Sequence, residues 1–287
     1  MRPTPASSFR LPPGACDCHV HVFDPERYPY AEDRGYTPAA ADVQDLRAHL
    51  ARSGMARVVL VQPSCYGLRN DAMLHALEAL GSAAARGVAV VDADRVDEAT
   101  LQGLHHAGVR GVRLNFSVQA QVDGGQAAPL LERAAARLAA RQWHLQVHAS
   151  PAMLAALQPV LARLPVRVVL DHFGGTAASS GVTLALLELP HVWLKLSAPY
   201  RASRQENHED LRPLVERCAA IAPDRLLWGS DWPHTGGAGT RSADPDAIEP
   251  FRKTDAVASL AQLGSWLPDD GMRRRLLVDN PAALYDF

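Results

Sequence analysis

Eight short runs rich in β-branched residues recur along the 287 residues, and helical patterning fills the spaces between them. The runs are CDCHVHVF from Cys16, RVVLVQ from Arg57, GVAVVD from Gly87, GVRLNF from Gly111, WHLQVH from Trp143, VRVVLDH from Val166, VWLKLS from Val192 and LLWGSD from Leu227. Apolar residues spaced by three and four mark the intervening helices, as in Val43, Leu46 and Leu50 or Leu154, Leu157 and Leu161. Gly54 and Gly108 read as helix stops and Asn70 as a cap. Strand and helix alternating in this way predict an α/β fold, a single-domain (β/α)8 TIM barrel over 14–287, preceded by an N-terminal extension over 1–13. A doubly wound open sheet is the competing architecture.

Three longer polar stretches, Phe23 to Ala41, Ser117 to Ala127 and Trp232 to Thr254, all follow predicted strands. In a barrel they would lie over the carboxyl-terminal mouth, where active sites are built. The net charge is only −2 and the basic residues are scattered, which argues against nucleic acid or an anionic membrane as partners. With no secretory-type leader and no run of ~18 apolar residues, a cytoplasmic location is expected. Cys16 and Cys18 are too close along one strand to bridge comfortably, which fits a reducing compartment. Trp266 reads as a surface apolar residue and hints at a contact between copies, a homo-oligomer.

The first strand carries two histidines. Alternate residues of a strand share a face, so His19 and His21 are expected to point the same way together with Asp17, with Cys16, Cys18 and Val20 facing the helices. His148 closes the fifth strand, His172 the sixth, and Asp231 the eighth, with His234 just beyond. In a closed barrel strand eight lies beside strand one, which would bring Asp231 close to His19 and His21. Polar residues at the same end of several different strands point to catalysis rather than packing. Asp171 reads as a structural cap or salt-bridge partner. His105 and His106 sit late in a helix, where a cationic end suits the helix dipole.

The combination of HVH on strand one, VQPSCYG after strand two, GVRLNF on strand four, DHFGG on strand six, KLSAPYR on strand seven, WGSDWPH on strand eight and a terminal NPAALYDF resembles the amidohydrolase superfamily. More narrowly, it is similar to the branch containing 2-pyrone-4,6-dicarboxylate lactonase and the sugar lactonases, from about Gly14 to the end. The resemblance implies that Asp231 is the general base for an attacking water, and that His19, His21 and His172 polarise the scissile carbonyl directly or through a metal. It further implies that Arg113, Arg201, Tyr36 and Ser64 hold the substrate's carboxylates or hydroxyls; His234 joins them as a candidate. Two positions depart from the dicarboxylate lactonase, which works without metal. Gln119 replaces an arginine, weakening the case for a second carboxylate. His148 replaces a tyrosine and restores a ligand position used by metal-dependent members. His19, His21, His148 and Asp231 would then suffice for one Zn2+ or Mn2+ with an open position for water. No lysine ends strand four, so a carbamate-bridged pair of metals is not expected.

Arg113 and Arg201, on strands four and seven, would face each other across the pocket and pair with carboxylates. The expected activity is hydrolysis of a small anionic lactone, a cyclic ester, with or without a metal. A metal-dependent decarboxylase acting on an aromatic or unsaturated acid is the alternative, and a ligand-binding barrel without catalysis the third reading.

Overall fold

The structure, a computed structural model, describes residues 10–117, 123–236 and 241–287, with the side chain of residue 179 left out. All eight expected strands are present: β1 Cys16–Val20, β2 Arg57–Val61, β3 Ala85–Ala89, β4 Val109–Asn115, β5 His144–His148, β6 Val168–Leu170, β7 Val192–Ser197 and β8 Leu226–Gly229. They pair in parallel in chain order. Between them lie α1 Val43–Ser53, α2 Asp71–Leu80, α3 Glu98–His106, α4 Gly124–Leu138, α5 Pro151–Leu161, α6 Ser180–Leu187 and α7 Arg212–Ile221; α8 Ala256–Trp266 follows β8. This is the (β/α)8 barrel and not the open sheet.

Local chemistry sets the helix limits. Asp42 accepts from the amides of Gln44 and Asp45 while the Asp45 carboxylate takes the Asp42 amide, a capping box that starts α1. Gly54, at φ 71°, ends α1 in the left-handed conformation that glycine adopts without steric cost. Asn70 precedes α2 but caps nothing. Its side chain instead accepts from the Val90 amide and donates to the Val90 carbonyl, tying the loop after β2 to the end of β3.

The barrel closes where the chain just beyond β8 meets β1. Asp231 N donates to His19 O at 2.9 Å and His21 N to Trp232 O at 2.8 Å, and Val20 bridges Trp232 in parallel. A side chain at Gly229 would put its Cβ 2.6 Å from His19 Cβ and 2.9 Å from His19 N, so only glycine allows the two backbones this close. The Asp17 carboxylate latches the same seam, accepting from the amides of Ser230 at 2.9 Å and His19 at 3.2 Å and contacting His49 Nε2 of α1 at 3.2 Å.

That latch corrects the expected faces of β1. Asp17 lies with the helix layer, whereas Cys16 and Cys18 pack inside the barrel with Val59, Val61, Val88, Val169 and Leu227. The register slips between Asp17 and Val20, where three steps along β1 match two along β2. A bulge of this kind resets the alternation, and His19 and His21 still face inward beyond it. Trp266, expected at the surface, is buried at 4% exposure against the core, which removes the hint of a homo-oligomer that it carried. Among the described residues no helix is long and apolar enough to cross a membrane.

Gly229→Ala should therefore open the seam. The overlap with backbone as well as side chain predicts a loss of about 1–3 kcal/mol, the usual cost of overpacking a filled interior. A urea midpoint unchanged from the parent chain would contradict it.

Candidate active site

Four side chains meet at the seam. His19 Nε2, His21 Nε2 and His172 Nε2 lie 3.6, 3.6 and 3.8 Å from one oxygen, Asp231 Oδ1. The other oxygen, Oδ2, accepts from Tyr200 OH at 2.7 Å and from Arg201 Nε and Nη2, each at 3.0 Å. Tyr200 and Arg201 come from the helical turn Pro199–Ala202 just past β7. One edge of the carboxylate is thus fixed, leaving Oδ1 to the imidazoles.

Each imidazole is oriented from behind. His21 Nδ1 lies 2.7 Å from the Val61 carbonyl, which can only accept, so Nδ1 carries a proton and Nε2 is the atom turned toward Asp231. His172 Nδ1 pairs with Ser197 Oγ at 2.9 Å. His19 Nδ1 stands 3.4 Å from Asp171 Oδ1 and 3.5 Å from Lys195 Nζ. Burial lowers the His19 pKa to about 3 and holds His172 well below its ordinary value, so both are neutral rings at pH 7. Burial opposes the charge of Asp231, but the Arg201 guanidinium outweighs it and keeps the carboxyl well below the usual range.

The buried Nε2 of His19 has no hydrogen-bond partner, and His19, His172 and Asp231 place donor atoms within 4.8 Å of one another. Two neutral imidazoles and a carboxylate, with the second nitrogen of His172 held by the Ser197 hydroxyl, suit a divalent cation. His148, expected as a fourth ligand, is grouped instead with Asp171 and His172. Arg113 fills that group, with Nε 2.9 Å from Asp171 Oδ2 and Nη2 3.2 Å from His148 Nδ1. A guanidinium there disfavours a second cation.

The cluster borders a cavity of about 270 Å³ at the carboxyl-terminal mouth. His21, His148, His172 and Asp231 line it, as do Arg113, Arg201, Tyr36 and Ser64. His19 lies behind them, fully buried. His234 is not among the lining residues; its Nδ1 sits 3.5 Å from Tyr200 OH, and it borders a separate cleft with His49 and Trp232. Gln119 lies outside the described residues. The loops after β1 and β8 roof the cavity together: Thr37–Pro38 pairs in parallel with Ile248–Glu249, and Arg34 bonds Asp246.

Several contributors were not singled out from the sequence. Lys195 is fully buried in the barrel, donating to Gln146 Oε1 at 2.7 Å, and burial lowers its pKa to about 8. A lysine in the apolar run VWLKLS, in phase with Ser197, was the available signal. Asp171, expected as a cap or a salt-bridge partner, is the second, paired with Arg113 and standing against His19. Tyr200, Arg241 and Arg252 also line the cavity.

The family follows from the whole chain. A model of the amidohydrolase family matches residues 16–287, and the protein belongs to that family. It is 35% identical to a 4-sulfomuconolactone hydrolase of Rhizobium radiobacter over 97% of this chain and 92% of that one. It is 37% identical to a 2-pyrone-4,6-dicarboxylate hydrolase of Comamonas testosteroni over 96% and 92%. The crystal structure of an Agrobacterium tumefaciens protein in its apo form superposes with a TM-score of 0.80 at 26% identity, covering 96% of this chain and 97% of that one.

The hydrogen bond at Val61 places a proton on His21 Nδ1. Nitrogen-15 spectra of histidine-labelled protein should show that nitrogen protonated; a bare Nδ1 would contradict the contact.

Proposed function

We propose that the protein hydrolyses a small anionic lactone, with Asp231 as the base that receives the proton of the attacking water. The observation that carries this is the meeting of three imidazole nitrogens on Asp231 Oδ1, beside a cavity lined by guanidinium groups. The two curated relatives named above, each covered over 92% of its length, are both lactone hydrolases, which favours ring opening over the decarboxylase alternative.

Arg113 and Arg201 are the candidates for holding an acid group of the substrate, and Tyr36 and Ser64 its other oxygens. Arg201 and Tyr200 keep the carboxylate of Asp231 ionised and turned so that Oδ1 faces the imidazoles. A carboxylate held this far below its ordinary pKa is a weak base toward an ordinary water, so the water must be acidified before Asp231 can take its proton. A zinc or manganese ion held by His19, His172 and Asp231, with His21 beside them, would supply that acidity and polarise the ester carbonyl. As the water adds to the carbonyl and the ring C–O bond breaks, the ring oxygen leaves as an alcohol or enol by taking up the proton that Asp231 received. Four free and buried cysteines support work in a reducing compartment such as the cytoplasm.

A pH-indicator screen of acid-bearing lactones should find a substrate, and Asp231→Asn should lower kcat on it by about 10²–10⁴-fold. Turnover of no lactone, or carbon dioxide as product, would end the proposal. Purified protein should carry close to one divalent ion per chain and lose activity on dialysis against chelator, with zinc or manganese restoring it. Full activity after complete removal of metal would overturn the cation site while leaving the lactone reading in place.

A further inference from the structure

We propose that Arg241 and Arg252, both from the segment after β8, form an anion subsite in this cavity separate from Arg113 and Arg201. This deepens the lactone reading and rests on it.

The charges around the cavity are unevenly compensated. Arg201 is paired with Asp231 and Arg113 with Asp171. Arg241 and Arg252 line the same cavity, and among the described residues no carboxylate lies within ion-pair distance of either. Both Nε atoms are buried without a hydrogen-bond partner. Setting aside the imidazoles, four guanidiniums against two carboxylates leave two positive charges without counter-charge.

Aromatic rings hold these two side chains in place. The Arg241 guanidinium lies 3.8 Å from the ring centroid of Tyr36, and that of Arg252 lies 5.1 Å from the ring of Tyr200. Stacking on a ring face orients a guanidinium and leaves its in-plane N–H groups free to donate. Withdrawing an unpaired donor from water costs free energy that only an incoming acceptor recovers. A carboxylate or sulfonate offers paired oxygens that match the guanidinium fork.

The test is titration calorimetry on the full chain with two planar probes that cannot be hydrolysed, benzene-1,3-dicarboxylate and benzoate. The dicarboxylate should bind at least tenfold more tightly, and the ratio should shrink in about 0.5 M salt, where the Debye length falls to about 4 Å. Arg241→Met and Arg252→Met should each reduce the ratio at least fivefold, with Arg241→Lys and Arg252→Lys recovering part of it. Circular dichroism melting checks that each variant is folded. A ratio near one in the parent chain, or Met variants that weaken both probes equally, would overturn the subsite. Discrimination between the probes without turnover of any lactone would instead sink the lactone reading and spare the subsite, and turnover with a ratio near one would do the opposite.

Discussion

The contact between β1 and the chain leaving β8 is the constraint on which the site depends. A parallel barrel closes only if its first and last strands come within hydrogen-bond reach, and here that reach passes through Gly229 against His19. Closure brings residues more than 200 positions apart in the chain into register, with the Asp231 amide on the His19 carbonyl and the His21 amide on the Trp232 carbonyl. The same hydrogen bonds that finish the sheet therefore position the base beside two imidazoles. Asp17 reinforces the seam from the helix side by accepting from backbone on both strands.

Burying charge so close to this seam is tolerable only because each carboxylate is met. Asp231 is gripped by Arg201 and Tyr200, Asp171 by Arg113, and Asp17 by two amides and His49. An unpaired buried carboxylate would take up a proton and lose its use as a base. Arg113 and Arg201 consequently have two demands on them, since the guanidiniums that could hold substrate also keep the site's own acids ionised. This division explains why arginines with no such duty, Arg241 and Arg252, stand out in the same cavity.

Much of this was legible in the sequence. Eight β-branched runs in alternation with helical stripes required a barrel or an open sheet, and the polar residues at strand ends, His19, His21, His172 and Asp231, proved to be neighbours. The phase of β1 was not legible, because a bulge between Asp17 and Val20 breaks the period of two on which face assignments rest. Trp266 misled for a related reason, since its burial depends on how α8 packs and not on the composition around it. Tyr200 lies in a single helical turn and the two loop arginines in irregular segments, none long enough for a periodicity to report direction. His148 ends a strand as expected, yet its neighbours were decided by Arg113, two residues short of the end of β4, and pairing across strands leaves no mark in a single chain's spacing.

The site is also held in backbone conformations that a sequence does not announce. His172 at φ 50° and Asp231 at φ 65° both occupy the left-handed region, which costs a residue other than glycine about 1–3 kcal/mol where the surroundings impose it. Each stands two residues past the end of a barrel strand, where the chain must turn sharply if the side chain is to face the axis. Glycine would relieve the strain but has no imidazole or carboxylate to offer. The barrel seam, the Ser197 hydroxyl and the Arg201 clamp together offset that cost, so that strain at these two turns is the structural consequence of aiming His172 and Asp231 at the same point.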